Sequence, residues 1–152
     1  MLCAALALPL SRRAAAYNLD EGASWSGAPS LPIQVHLGAP STLGGVAVTY
    51  PLGDGFATFD DSFIQAIRLW NHYLSAGPGP VMTPTVGSGA GSQNDGINTM
   101  FFSSTVFGQA FGSNTLAVTV FDNIGSQMTE ADIMFNTAKR WDSYRGNPHF
   151  VG

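Results

Sequence analysis

Apolar and polar residues alternate along LPIQVHLG, residues 31–38: Ile33, Val35 and Leu37 share one side, Gln34 and His36 the other. A period of two with one apolar side predicts a half-buried strand. The period changes in FDDSFIQAIRLWNHYL, residues 59–74. There Phe63, Ala66, Ile67, Trp70 and Leu74 recur at spacings of three and four, which predicts an amphipathic helix with that stripe facing the core. Asp60 or Asp61 is placed to cap its first turn and meet the helix dipole. Ser75-Ala76-Gly77-Pro78 stops it.

The remaining pattern is strand and turn. VAVTY (46–50) predicts a short strand before the turn LGDG. VMTPTV (81–86) predicts an edge strand, because Pro84 has no N–H to give to a central ladder. GSGAGSQNDG (87–96) is a surface loop turned back by Asp95-Gly96. It lacks the Gly-Lys-Ser/Thr ending of a phosphate-binding loop. INTMFFSS (97–104), TLAVTVFD (115–122) and the segment opening at TEADIMFN are rich in strand formers and are separated by the turns FGSN and NIGS. One helix on one face of a twisted mixed sheet, an α/β (α+β) arrangement, is the economical assembly.

Composition narrows the class. Charged residues are 11% of the 152, against roughly 25% in typical soluble domains. Ten acids face six bases with no basic stripe, which sets nucleic-acid binding aside. LCAALALPL (2–10) is too short to span a bilayer. With Ala14 and Ala16 behind it, it reads as a signal peptide over residues 1–16, so a secreted, extracellular or periplasmic protein is expected, with no membrane span. Cleavage after Ala16 removes Cys3, the only cysteine, and two of the six bases, leaving four. No disulfide framework then remains.

Taken in order, the pieces resemble the N-terminal part of a metzincin zinc peptidase, closest to the matrixins and their bacterial secreted relatives. IQVHLG precedes a DG turn, and a helix bearing AIRLWN follows. GINTMFF is similar to the strand before the cleft strand, NTLAVTVFD to the cleft strand, and EADIMFNTAKRW to the last strand before the zinc helix. The resemblance implies that residues 17–152 are an incomplete metallopeptidase catalytic domain, a metzincin-like N-terminal subdomain. It also implies that the backbone of Leu116, Ala117 and Val118 forms the upper edge of a substrate cleft. A peptide or protein substrate would lie against that edge as an added strand.

Two departures from the family matter. Matrixins hold structural-zinc histidines where this chain has Val118 and Met134, neither of which offers an imidazole, so no structural zinc is expected. Calcium is the second ion the resemblance raises. The acids that bind it are replaced here, because Asn136 is followed by Thr137, Ala138 and Lys139, and a calcium site needs several oxygen ligands with net negative charge. Asp132 matches an acid of the family pattern and reads either as an ion ligand or as a turn-facing carboxylate.

The catalytic motif is missing. A zinc peptidase needs histidines four apart on one helix face, with a glutamate beside the first as base. The three histidines, His36, His72 and His149, have no such spacing, and no His-Glu pair exists. There is no Gly-x-Ser-x-Gly elbow either. No catalytic or metal residue is therefore assigned; zinc is expected only in a complete protein whose ligands lie outside these residues. Three readings follow: an N-terminal fragment of a secreted zinc endopeptidase, a non-catalytic secreted binding or adhesion domain, or a small-ligand carrier using Trp25, Trp70 and Trp141.

Overall fold

The computed structural model describes residues 23–25, 30–37, 42–43, 46–47, 52–74, 80–87, 89 and 91–143. The predicted signal segment, residues 1–16, and His149 lie outside them.

Five strands form a mixed sheet: β1 (Ser30–His36), β4 (Val81–Val86), β5 (Thr99–Ser103), β8 (Ala117–Ile124) and β9 (Gln127–Asn136), in the order β4-β1-β5-β9-β8. β1 runs parallel to β4 and β5, and β5 parallel to β9; only β8 is antiparallel to its neighbour. Pro84 sits on β4, at an edge, as its missing N–H requires. Two-residue hairpins, β2 (Thr42–Leu43) with β3 (Val46–Ala47) and β6 (Thr105–Val106) with β7 (Gln109–Ala110), stand apart from the sheet. The strand expected at 46–50 thus contributes to a small hairpin, and 48–50 lie outside the described residues.

The single described helix, α1 (Phe59–Leu74), packs on one sheet face. Ile33, Val35, Ile67 and Met100 form the buried cluster there, with Phe63, Ile64, Ile133 and Phe135 packed against it. The alternation of β1 therefore points its apolar side at the helix. The helix itself is rotated from the expected stripe. Ala66 is exposed and Trp70 is 63% exposed, whereas Phe59, Asp60 and Ile67 are buried and Asn71 is half-buried. Polar bonds fix this rotation. The Asn71 amide accepts from Met82 N–H (2.9 Å) and donates to Met82 C=O (2.6 Å), tying α1 to β4. At the other end Asp60 turns inward and accepts Leu37 N–H at 2.7 Å, tying α1 to the exit of β1.

The cap also differs from expectation. Thr58 is the N-cap: its hydroxyl accepts Asp61 N–H (3.0 Å) and donates to the Asp61 carboxylate (2.7 Å). Asp61 is thus the partner of the capping residue rather than the cap itself.

Candidate functional site

β8 ends the sheet, and no described strand pairs with its outer side. Its register against β9 sets Ala117 opposite Phe135, Val118 opposite Met134 and Thr119 opposite Ile133. Asn136 N–H donates to Leu116 C=O at 2.8 Å, which makes that pair a hydrogen-bonded one. Antiparallel pairs alternate, so Leu116, Val118 and Val120 turn their backbone groups toward β9. Ala117, Thr119 and Phe121 turn theirs outward, to the open edge. Of the three residues assigned to the edge, Ala117 is therefore the one presenting N–H and C=O on the unpaired side. Thr119 and Phe121 extend that row.

Asn136, 4% exposed, holds the start of this strand. Its side-chain amide donates to Thr115 C=O (2.9 Å) and accepts Ala138 N–H (2.9 Å), in addition to its backbone bond to Leu116. Lys139 adds a bond from its ammonium to Ser113 C=O at 2.7 Å. Asn136 and Lys139 thus clamp the start of the edge strand. Sequence reasoning missed this, because a buried asparagine between an apolar strand and a turn has no pattern of its own.

Beside the edge, on the α1 face, lies an aromatic cluster. Trp141 meets Phe102 and Phe135 edge-on at ring distances of 6.0 and 5.1 Å, and its indole N–H donates to Asn136 C=O at 2.9 Å. Phe59 and Phe63 join from the helix. A cavity of about 190 Å³ opens among Leu37, Phe59, Phe63, Phe102, Phe135 and Trp141. A second, about 300 Å³, lies lower on the same face among Trp25, Phe63, Ile67, Trp70 and Ile133. Phe63 borders both, so the two make an apolar trough alongside α1.

The opposite face buries acids beside Phe101 and Met134. Glu130 and Asp132 are 2% and 1% exposed. The Glu130 carboxylate accepts the N–H groups of Asn94 (2.9 Å) and Gly96 (2.5 Å), and Asp132 accepts Thr99 N–H (2.9 Å). Burial, opposed by the Thr99 bond and reinforced by the charges of Glu130 and Asp95, pushes the Asp132 carboxyl up to about 6. Residues 91–96 of the loop are thus anchored as well as superficial. A Cβ at Gly91 would come within 2.8 Å of the Phe101 ring and 3.0 Å of Thr99, so only glycine fits there. Asp132 takes the turn-facing role.

His36 donates through Nδ1–H to Gly87 C=O (3.0 Å), and His72 meets Tyr73 edge-on on the exposed side of α1. Among the described residues, no group of three or more His, Cys, Asp or Glu side chains is placed to hold a metal ion. Val118 and Met134 stand directly opposite each other, Met134 wholly buried. No described helix is long and apolar enough to cross a membrane. No known family profile, curated protein or solved structure matches the chain.

Proposed function

We propose that residues 17–152 are the N-terminal part of the catalytic domain of a secreted, matrixin-like zinc endopeptidase, and that β8 is the strand against which a peptide substrate lies. The observation that carries this reading is the antiparallel edge strand, fixed by Asn136 and presenting Ala117, Thr119 and Phe121 outward. An edge of this kind holds an extended peptide through main-chain hydrogen bonds, whatever its side chains. Two further observations support it. Val118 and Met134, the positions where matrixins carry structural-zinc histidines, are cross-strand partners. The apolar trough between α1 and β9 offers a seat for a further helix beside Trp141.

In such an endopeptidase a zinc-activated water attacks the peptide bond, with a glutamate as base. The residues described here do not fit that ion: His36 is committed to Gly87, His72 is remote on α1, and no metal-holding group exists among them. Their part is binding and support. The second reading, a non-catalytic secreted binding domain, draws on Leu69, Trp70 and Tyr73, which are 59–70% exposed on one flank of α1.

Reading the coding DNA beyond Gly152 separates the two. The endopeptidase reading expects a His-Glu-x-x-His motif with a third histidine after a glycine. A genuine stop codon there would overturn it in favour of the binding domain.

A further inference from the structure

We propose that β8 pairs edge to edge with β8 of a second copy of this chain, and that the pairing closes at two copies. The inference rests on the open strand edge and not on the endopeptidase reading.

The sheet has two edges, and only one is open. On the β4 side, Gly87 N–H donates to Val35 C=O at 2.8 Å, so with a strand period of two Thr83 and Thr85 turn their backbone groups to β1. Met82, Pro84 and Val86 turn theirs outward. The Asn71 amide takes both the N–H and the C=O of Met82, and Pro84 has no N–H to give. β4 is therefore closed to a further strand. On β8 the outward row is Ala117, Thr119 and Phe121, and among the described residues nothing bonds their N–H or C=O groups on that side. Residues 117–121 read AVTVF, with neither the charge nor the proline that guards strand edges.

The row is bounded at both ends. Thr115 C=O is taken by the Asn136 amide, and the ladder to β9 shifts register between Asp122 and Asn123. The regular stretch between them is centred on Thr119. An antiparallel partner with a two-fold axis at Thr119 sets Thr119 against its own copy and Ala117 against Phe121 of the second copy, which uses the whole row. A register displaced by one step of the ladder in either direction keeps fewer of these pairs. Between them Val118 meets Val120 of the second copy, a β-branched cross-strand pair. Asp122, the nearest acid on the strand, falls opposite Leu116 of the second copy, so no like charges meet.

The contact is self-complementary, and each copy uses its one open edge in making it. With β4 closed, the joined sheet cannot grow further, which distinguishes a dimer from a fibre. Residues 117–121 of two copies bury less than the ~1,200 Å² of standard stable interfaces, so the dimer is weak, with Kd on the order of 100 μM.

Amide hydrogen exchange and sedimentation equilibrium on the whole chain test this between about 10 μM and about 1 mM. With that Kd, mass action slows exchange roughly fourfold over the range at Ala117, Thr119 and Phe121, and not at Val35 in β1. Thr119→Pro should remove the dimer and the slowing at Ala117 and Phe121, whereas association through the apolar trough would leave both unchanged. No slowing at the three amides, slowing that persists in the folded variant, or Thr119-dependent growth beyond two copies would overturn the proposal. If the variant does not fold, exchange in the wild type alone decides. Peptide-induced shifts in the dilute chain test substrate addition separately: they stand if the dimer fails, and the dimer stands if they are absent.

Discussion

Asn136, Asn71 and Asn98 fix much of this molecule, and each uses a planar amide that donates and accepts at once. Asn98, 8% exposed, donates to Pro32 C=O and accepts Ala131 N–H, bridging β1 to β9 just before β5 begins. Asn136 does the same for β8 and the turn after β9. Replacing Asn136 by Ala leaves Thr115 C=O and Ala138 N–H without their partner and should cost about 1–3 kcal/mol. Chemical denaturation reads the loss, and exchange at the inward amides of Val118 and Val120 should rise more than at β1. None of these asparagines was legible in the sequence. Apart from Ala138, their partners lie 11 to 66 residues away in the chain, and periodicity registers only apolar positions. The glycine requirement at 91 was equally hidden, since it arises from the Phe101 ring and not from a turn.

At the scale of elements, period located β1 and α1, and runs of strand formers between turn signals located β4, β5, β8 and β9 closely. Orientation was less legible. Phe63 and Ile67 of the expected stripe face the core, but Ala66 and Trp70 yield to Asp60 and Asn71, which have backbone partners at the two ends of the helix. The cap was misplaced by two to three residues for a related reason: two adjacent aspartates looked like the signal, while Thr58 before them holds the cap. Thr58→Ala should therefore destabilise the fold by about 1 kcal/mol, and Asp61→Ala by less. Equal or reversed costs in urea titrations would show that Asp61 caps alone. The edge strand carries the sharpest prediction at this scale. Proline at Val118 removes a bond to β9 and should unfold the β8–β9 pair. Proline at Thr119 removes only an outward N–H and should leave the fold intact, as judged by circular dichroism and melting.

For the whole molecule, one helix covers part of a five-stranded sheet and leaves an apolar trough from Trp25 and Trp70 to Trp141. Exposed Leu69, Trp70, Tyr73 and Leu116 add to the apolar surface. Contiguous apolar surface of this kind marks an interaction site or an aggregation liability. The isolated chain should bind an apolar dye and self-associate with rising concentration in sedimentation. A monomer with a sharp, reversible melting transition at high concentration would contradict this. The sheet-plus-helix class was legible from the order of periodic segments. The trough was not, because it depends on where α1 sits across the strands.

The central claim is that β8 receives an extended peptide, and an NMR titration tests it most directly. An unstructured, apolar-rich peptide is added to the isotopically labelled chain and to its Thr119→Pro variant. The account predicts shifts concentrated at the amides of Ala117, Thr119 and Phe121, and at least about a tenfold loss of affinity in the folded variant, since strand addition depends on those main-chain bonds. Shifts centred on Trp70 and Tyr73, or affinity unchanged by the proline, would contradict it.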